Sequence, residues 1–255
     1  MVNNLEIAGD GGAGSIIGVD GCKGGWIAVS FAAGDLGAAQ AKVFKYFKCL
    51  LKTFAPGATI AVDMPIGLPE RTGRGGRAAD REAKVFLMSR GASVFSVPSR
   101  RAVFTQAYPQ ACEVARETSE GQKAFSIQAF SIFPRIREID GLLQQDHALR
   151  GQVFETHPEV SFALMNGGTP LAPKKIKGRI NKSGMEQRKA LLARQGFALD
   201  FLKEKPPRSA AEDDFYDACA CAWSGARILR EGARAFPPEP EAEVDATGLR
   251  VAIWG

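Results

Sequence analysis

Three short apolar runs in this chain each end on a carboxylate, and no other feature restricts the fold as much. Ile16-Ile17-Gly18-Val19 ends at Asp20, Thr59 to Val62 ends at Asp63, and Gln152-Val153-Phe154 ends at Glu155. Short apolar runs bounded by turn signals read as buried strands. An acid directly after such a run sits at a strand tip, and tips on one sheet edge bring together side chains far apart in sequence. Gly21, Gly24 and Gly25 mark a tight turn, so Trp26 to Ala32 reads as the second arm of a hairpin, and Ala39 to Phe44 supplies a third strand. Phe44, Phe47, Leu50, Leu51 and Phe54 recur at helical spacing until Pro56-Gly57 stops the helix. The opening order is therefore strand, strand, strand, helix, strand.

The middle of the chain breaks this pattern. Residues 70–151 contain no further strand-to-acid run and read as a largely helical insertion, with helices over Ala78 to Met88, Gln106 to Glu120 and Ser126 to Gln145. After Glu155, Pro158 opens a helix to Met165. A basic loop, Pro173 to Lys182, precedes a helix from Gly184 to Arg194, and the last long helix runs from Glu212 to Arg230 with acids in its first turns, where the helix dipole favours them. A proline-rich linker, Phe236 to Pro240, leads to a closing strand, Leu249 to Trp254. The whole, residues 1–255, reads as one α/β domain with a loose glycine-rich start.

Composition excludes several classes. At 255 residues with 45% hydrophobic and 24% charged content, the chain can bury a core without staples and is neither disordered nor fibrous. Five cysteines with no CxxC pair, and only two histidines, rule out the usual zinc spacings. No run approaches the ~18 apolar residues of a membrane span, and the start has neither a basic nor an apolar leader segment, so a soluble, cytoplasmic protein without a membrane partner is expected. The net charge of +5 permits a phosphate-bearing partner without demanding one.

The acids carry the chemistry. Asp214 and Asp217 lie three residues apart on the last long helix and so share a face. Taken singly, a strand-end Asp before glycine is a turn former and an acid at a helix start is a cap. Taken together, Asp20, Asp63, Glu155 and Asp217 form a set of oxygen ligands without histidine, which suits Mg²⁺ or Mn²⁺.

Four segments, GVDGCKGGW (18–26), VDMPIGLP (62–69), FETHPEVSF (154–162) and DDFYDACACAW (213–223), together resemble domain-of-unknown-function family 429, a family of predicted nucleases with a ribonuclease H-like fold. The resemblance implies a mixed five-stranded sheet flanked by helices and a divalent-metal phosphodiesterase site. It implies catalytic roles for Asp20, Asp63, Asp214 and Asp217, the last two resembling the D-x-x-D of Holliday-junction resolvases. Those resolvases carry a glutamate where this chain has Asp63, and Glu155 has no assigned counterpart in them.

Nucleic acid is the expected partner, recognised by shape, since no zinc finger or RNP-like pattern is present. Lys23, Lys174, Lys175 and Arg179 are the candidate substrate contacts, and Lys177 and Lys182 extend the same basic loop. Arg71, Arg74, Arg77 and Arg81 offer a second path for a phosphate backbone, whereas Arg100 and Arg101 read as solvated surface. His157 is placed either to position a water or to bond its neighbours. Two other functions fit part of the pattern. A non-catalytic binding or structural protein could retain the fold, and an actin-like or sugar-kinase-like phosphotransferase shares the Asp-glycine hairpin. The latter needs two copies of the fold, and no second Asp-Gly hairpin exists. The oligomeric state stays open, a homodimer being one option.

Overall fold

β1 (Ser15–Cys22), β2 (Gly25–Ala32) and β3 (Gln40–Phe44) form an antiparallel meander, and α1 (Phe47–Phe54) carries the chain across the sheet to β4 (Thr59–Val62). The computed structural model describes residues 14–238 and 243–255, so the glycine-rich start and part of the proline-rich linker lie outside the described residues. β4 pairs parallel to β1 with Val19 opposite Val62, and β5 (Val153–Glu155) pairs parallel to β4 with Glu155 opposite Val62. The sheet order is β3-β2-β1-β4-β5, a five-stranded mixed sheet flanked by helices, as a ribonuclease H-like fold requires.

Period two along the strands sorts the side chains between two cores. Ile17 and Val19 of β1, with Ile60 and Val62 of β4, join Leu50 of α1 in one cluster, which Phe133, Ile136 and Ile139 complete. Ile16 faces the other way, into a core built with Phe215, Ala218 and Ala222.

Between β4 and β5 lie α2 (Ala78–Phe86), α3 (Arg100–Phe104), α4 (Tyr108–Glu117), α5 (Ile127–Ser131) and α6 (Phe133–Gln145). None of them adds a strand to the sheet, as the reading of residues 70–151 expected. The expected helix over Ser126 to Gln145 is interrupted at Ile132, because Pro134 has no N–H to continue the ladder. α6 is fastened to the hairpin by Glu138, which accepts from Trp26 Nε1 at 3.0 Å and from the Phe47 N–H that opens α1.

After β5 come α7 (Pro158–Met165), a small hairpin of β6 (Lys175–Ile176) and β7 (Arg179–Ile180), α8 (Lys182–Arg194), α9 (Leu199–Lys203) and α10 (Glu212–Leu229). The basic segment expected as a loop is thus partly a hairpin. The expected closing strand, Leu249 to Trp254, is two pieces. β8 (Ala235–Phe236) takes β11 (Ile253–Trp254), while β9 (Glu243–Val244) takes β10 (Arg250–Val251). Among the described residues no helix is long and apolar enough to cross a membrane.

Candidate metal centre

α10 is buried nearly all round and carries small residues on the face that meets the sheet: Ala218, Ala222 and Gly225. Gly18 on β1 lets the helix lie directly on the strand. A Cβ there would stand 2.0 Å from the Ala222 nitrogen and 2.2 Å from the Ala218 oxygen. At the other end of this contact, Gly225 approaches Ile16 and Ala61. Strand and helix then run in opposite senses over matched lengths. Ile16 to Asp20 spans roughly 13 Å at 3.3 Å per residue, and Gly225 to Asp217 spans roughly 12 Å at 1.5 Å per residue. Asp217 therefore arrives at the height of Asp20.

The parallel register does the same for Asp63. Val19 and Val62 are partners facing α1 and α6, so the next residues, Asp20 and Asp63, both turn to the α10 side. Each of Asp20, Asp63 and Asp217 offers a carboxylate oxygen, and these atoms all lie within 4.8 Å of one another. Asp20 and Asp217 are buried and Asp63 is half-buried.

Three carboxylates so close raise one another's pKa. Burial is the largest cause for each. Asp20 is pushed well above the ordinary carboxylate range, with Asp63 and Asp217 adding repulsion. Asp63 is also raised, partly opposed by His157 and Lys174. Asp217 is raised to about 6 although the Lys174 ammonium is bonded to its Oδ2. Its Oδ1 is buried with no hydrogen-bond partner. An octahedral shell of ~2.1 Å bonds sets ligand oxygens roughly 3.0 to 4.2 Å apart, close to the span of this cluster. An orphaned buried oxygen and an all-carboxylate donor set fit a hard divalent cation such as Mg²⁺ or Mn²⁺.

The other expected site residues are placed differently. Glu155 is one register step out of phase: opposite Val62, it turns to the face away from Asp20 and Asp63. There Arg77 holds both its oxygens, at 2.6 and 2.8 Å, and the Ile66 N–H donates to it at 2.7 Å. Asp80 takes the rest of that guanidinium, at 2.7 and 3.0 Å. The structure thus brings neither Glu155 into the metal-ligand group nor Arg77 to a phosphate path. Arg100 is likewise spent, on Asp140 and Asp245. Asp214, in the first turn of α10, reaches back to accept from the N–H of the N-cap residue Ala211 at 2.9 Å, so it too stays outside the triad. Its neighbour Asp213 takes the helix face toward Lys175, at 2.6 Å, and that ammonium lowers its pKa. Lys174 is folded onto Asp217 by the β6–β7 segment, while Lys23, Lys175 and Arg179 are exposed.

Sequence reasoning missed Glu159 and Arg135. Glu159 is buried on α7 with Oε2 unpartnered and Oε1 bonded to Arg188 at 2.6 Å, and its charge raises Asp63 and Asp217. Its place in FETHPEVSF, one helical turn past a strand tip, was the available signal. Arg135 is one of many cations on the insertion, and nothing in its spacing marks it.

Residues 18–242 match the family model described as a protein of unknown function, DUF429, and the chain belongs to that family. No curated protein and no solved structure matches it.

Proposed function

We propose that this chain is a divalent-metal-dependent nuclease that hydrolyses phosphodiester bonds in nucleic acid. The observation that carries the reading is the Asp20–Asp63–Asp217 group, two of its members buried and one half-buried, with one oxygen of each carboxylate within 4.8 Å of the others. Asp20, Asp63 and Asp217 would hold Mg²⁺ or Mn²⁺, and two such ions about 4 Å apart supply an activated water and stabilise the leaving oxygen. The chain's own residues do the remainder. Rigid placement on a sheet and a packed helix fixes the carboxylates before substrate arrives. Lys174 neutralises part of their charge, and the exposed Lys175 and Arg179 flank the site as cations for a phosphate backbone.

The test is cleavage of labelled single-stranded, duplex and branched substrates with Mg²⁺ or Mn²⁺, comparing wild type with Asp20→Asn. That substitution keeps the shape and removes one negative charge, so cleavage should vanish while the fold persists. Wild type cutting none of the substrates, or the variant cutting equally well, removes the nuclease assignment and favours a non-catalytic member of the fold.

A further inference from the structure

Asp20 and Asp63 open into a cavity of about 190 Å³ at the end of the sheet. Its opposite wall comes from the insertion, including Phe95, Val97, Ile132 and Arg135. An engineered cavity of about 150 Å³ holds one benzene. A space of this size admits one phosphate with part of a sugar or base, and leaves no room for the continuous surface of a duplex.

The charges in the wall are unequal. Arg77 has its guanidinium consumed by Asp80, Glu155 and the Ile66 and Gly67 carbonyls. Arg135 has no carboxylate partner among the described residues. It donates from Nη2 to the Cys22 carbonyl at 2.6 Å and lies over the Trp26 ring at 5.8 Å. These contacts fix the guanidinium against the strand tip, where a Cβ on Gly21 would stand 3.0 Å from Arg135 Nε. A fixed, uncompensated guanidinium beside a metal-suited acid group is what a phosphate bridging cation and arginine requires. Phe95, Val94 and Ile132 give the same cavity an apolar side, and sequence-tolerant binding of unpaired bases combines such surfaces with cations.

We propose that the site takes an unpaired nucleotide, from a single strand or a strand end, with Arg135 binding its phosphate. This rests on the nuclease reading and narrows its substrate. Arg135 sits on α6, so the insertion would select the substrate while the sheet and α10 supply the acids.

The experiment measures anisotropy of a labelled oligonucleotide in Ca²⁺, as a single strand and as the same sequence in a duplex closed by hairpins at both ends. Wild type, Arg135→Ala and Arg135→Lys are compared across a salt series. The single strand should bind at least about tenfold tighter than the closed duplex. Arg135→Ala should weaken single-strand binding about tenfold and lower the salt slope by about one, and Arg135→Lys should restore the slope. A purely structural Arg135 would lower Tm and leave the slope unchanged. Equal binding of the closed duplex, no binding of either, or an unchanged slope in Arg135→Ala overturns the proposal. Because binding is read without hydrolysis, failure here is distinct from failure to cut any substrate in Mn²⁺, which removes the nuclease reading.

Discussion

Substituting Gly18 by alanine should do more damage than one methyl normally does, because the methyl meets main chain. The new Cβ would lie 2.0 Å from the Ala222 nitrogen, 2.2 Å from the Ala218 oxygen and 2.5 Å from the Ala222 Cα. Ordinary contact begins near 3.4 Å, so α10 must retreat by about 1.4 Å, the difference between 3.4 and 2.0 Å. Overpacking a core costs typically 1–3 kcal/mol, and a backbone that cannot rotate aside places this case at about 3 kcal/mol. The same retreat carries Asp217 away from Asp20 and Asp63, so metal affinity should fall together with stability. Two controls grade the effect. Gly225→Ala crowds side chains, Ile16 Cγ2 at 3.0 Å and Ala61 Cβ at 3.3 Å, with main chain no nearer than the Thr59 oxygen at 3.9 Å, and should cost about 1 kcal/mol. Gly141→Ala, within α6 and with nothing inside 4 Å, should stabilise by about 0.5–1 kcal/mol. Urea unfolding gives the stabilities, and calorimetric titration with Mn²⁺ gives the affinities. A Gly18→Ala protein within about 0.5 kcal/mol of wild type and binding Mn²⁺ equally well would refute the helix-on-strand account of the site.

Three further outcomes follow from the same geometry. Asp217 has its folded pKa raised to about 6 from 3.8, so its ionisation opposes folding: the metal-free protein should lose stability as pH rises from about 4 to 6, and Asp217→Asn should flatten that dependence in urea midpoints. Glu155→Ala removes one of the two carboxylates on the buried Arg77, with Asp80 still paired to it, and should destabilise by about 1.5–3 kcal/mol, while Mn²⁺ affinity of the folded fraction stays within about twofold of wild type. Lys174→Met removes the ammonium bonded to Asp217, and should tighten Mn²⁺ binding by about tenfold while lowering the metal-free Tm.

The strand tips were legible because a buried strand has a fixed period and a short apolar run admits few alternatives; Asp20 and Asp63 were found on that ground alone. Asp217 was legible as part of an acidic helix start, but which of its neighbours shares the site was not. Asp213 and Asp214 look alike in sequence, and only their contacts, Asp213 with Lys175 and Asp214 with the Ala211 N–H, separate them. Glu155 failed for a one-residue reason, a register step that turns it to the opposite face, where Arg77 lies 78 positions earlier in the chain. Tertiary pairing of that range leaves no local trace. Lys174 and Arg135 illustrate the same limit: Lys174 reads as a substrate contact on a basic loop and Arg135 carries no mark at all, and each is drawn inward by an element whose docking the sequence does not print. The closing segment was mistaken for one strand because Leu249 to Trp254 is apolar at every position but Arg250, while its two halves pair with different partners.

The account turns on a divalent cation at Asp20, Asp63 and Asp217, and crystals grown with Mn²⁺ test it most directly through the metal's anomalous scattering. The account predicts a peak bonded to oxygens of all three carboxylates at about 2.0–2.2 Å, lost in crystals of Asp20→Asn. Crystals with Mn²⁺ present at saturating concentration and no peak at these three residues, or with the peak on Glu155 instead, would contradict it.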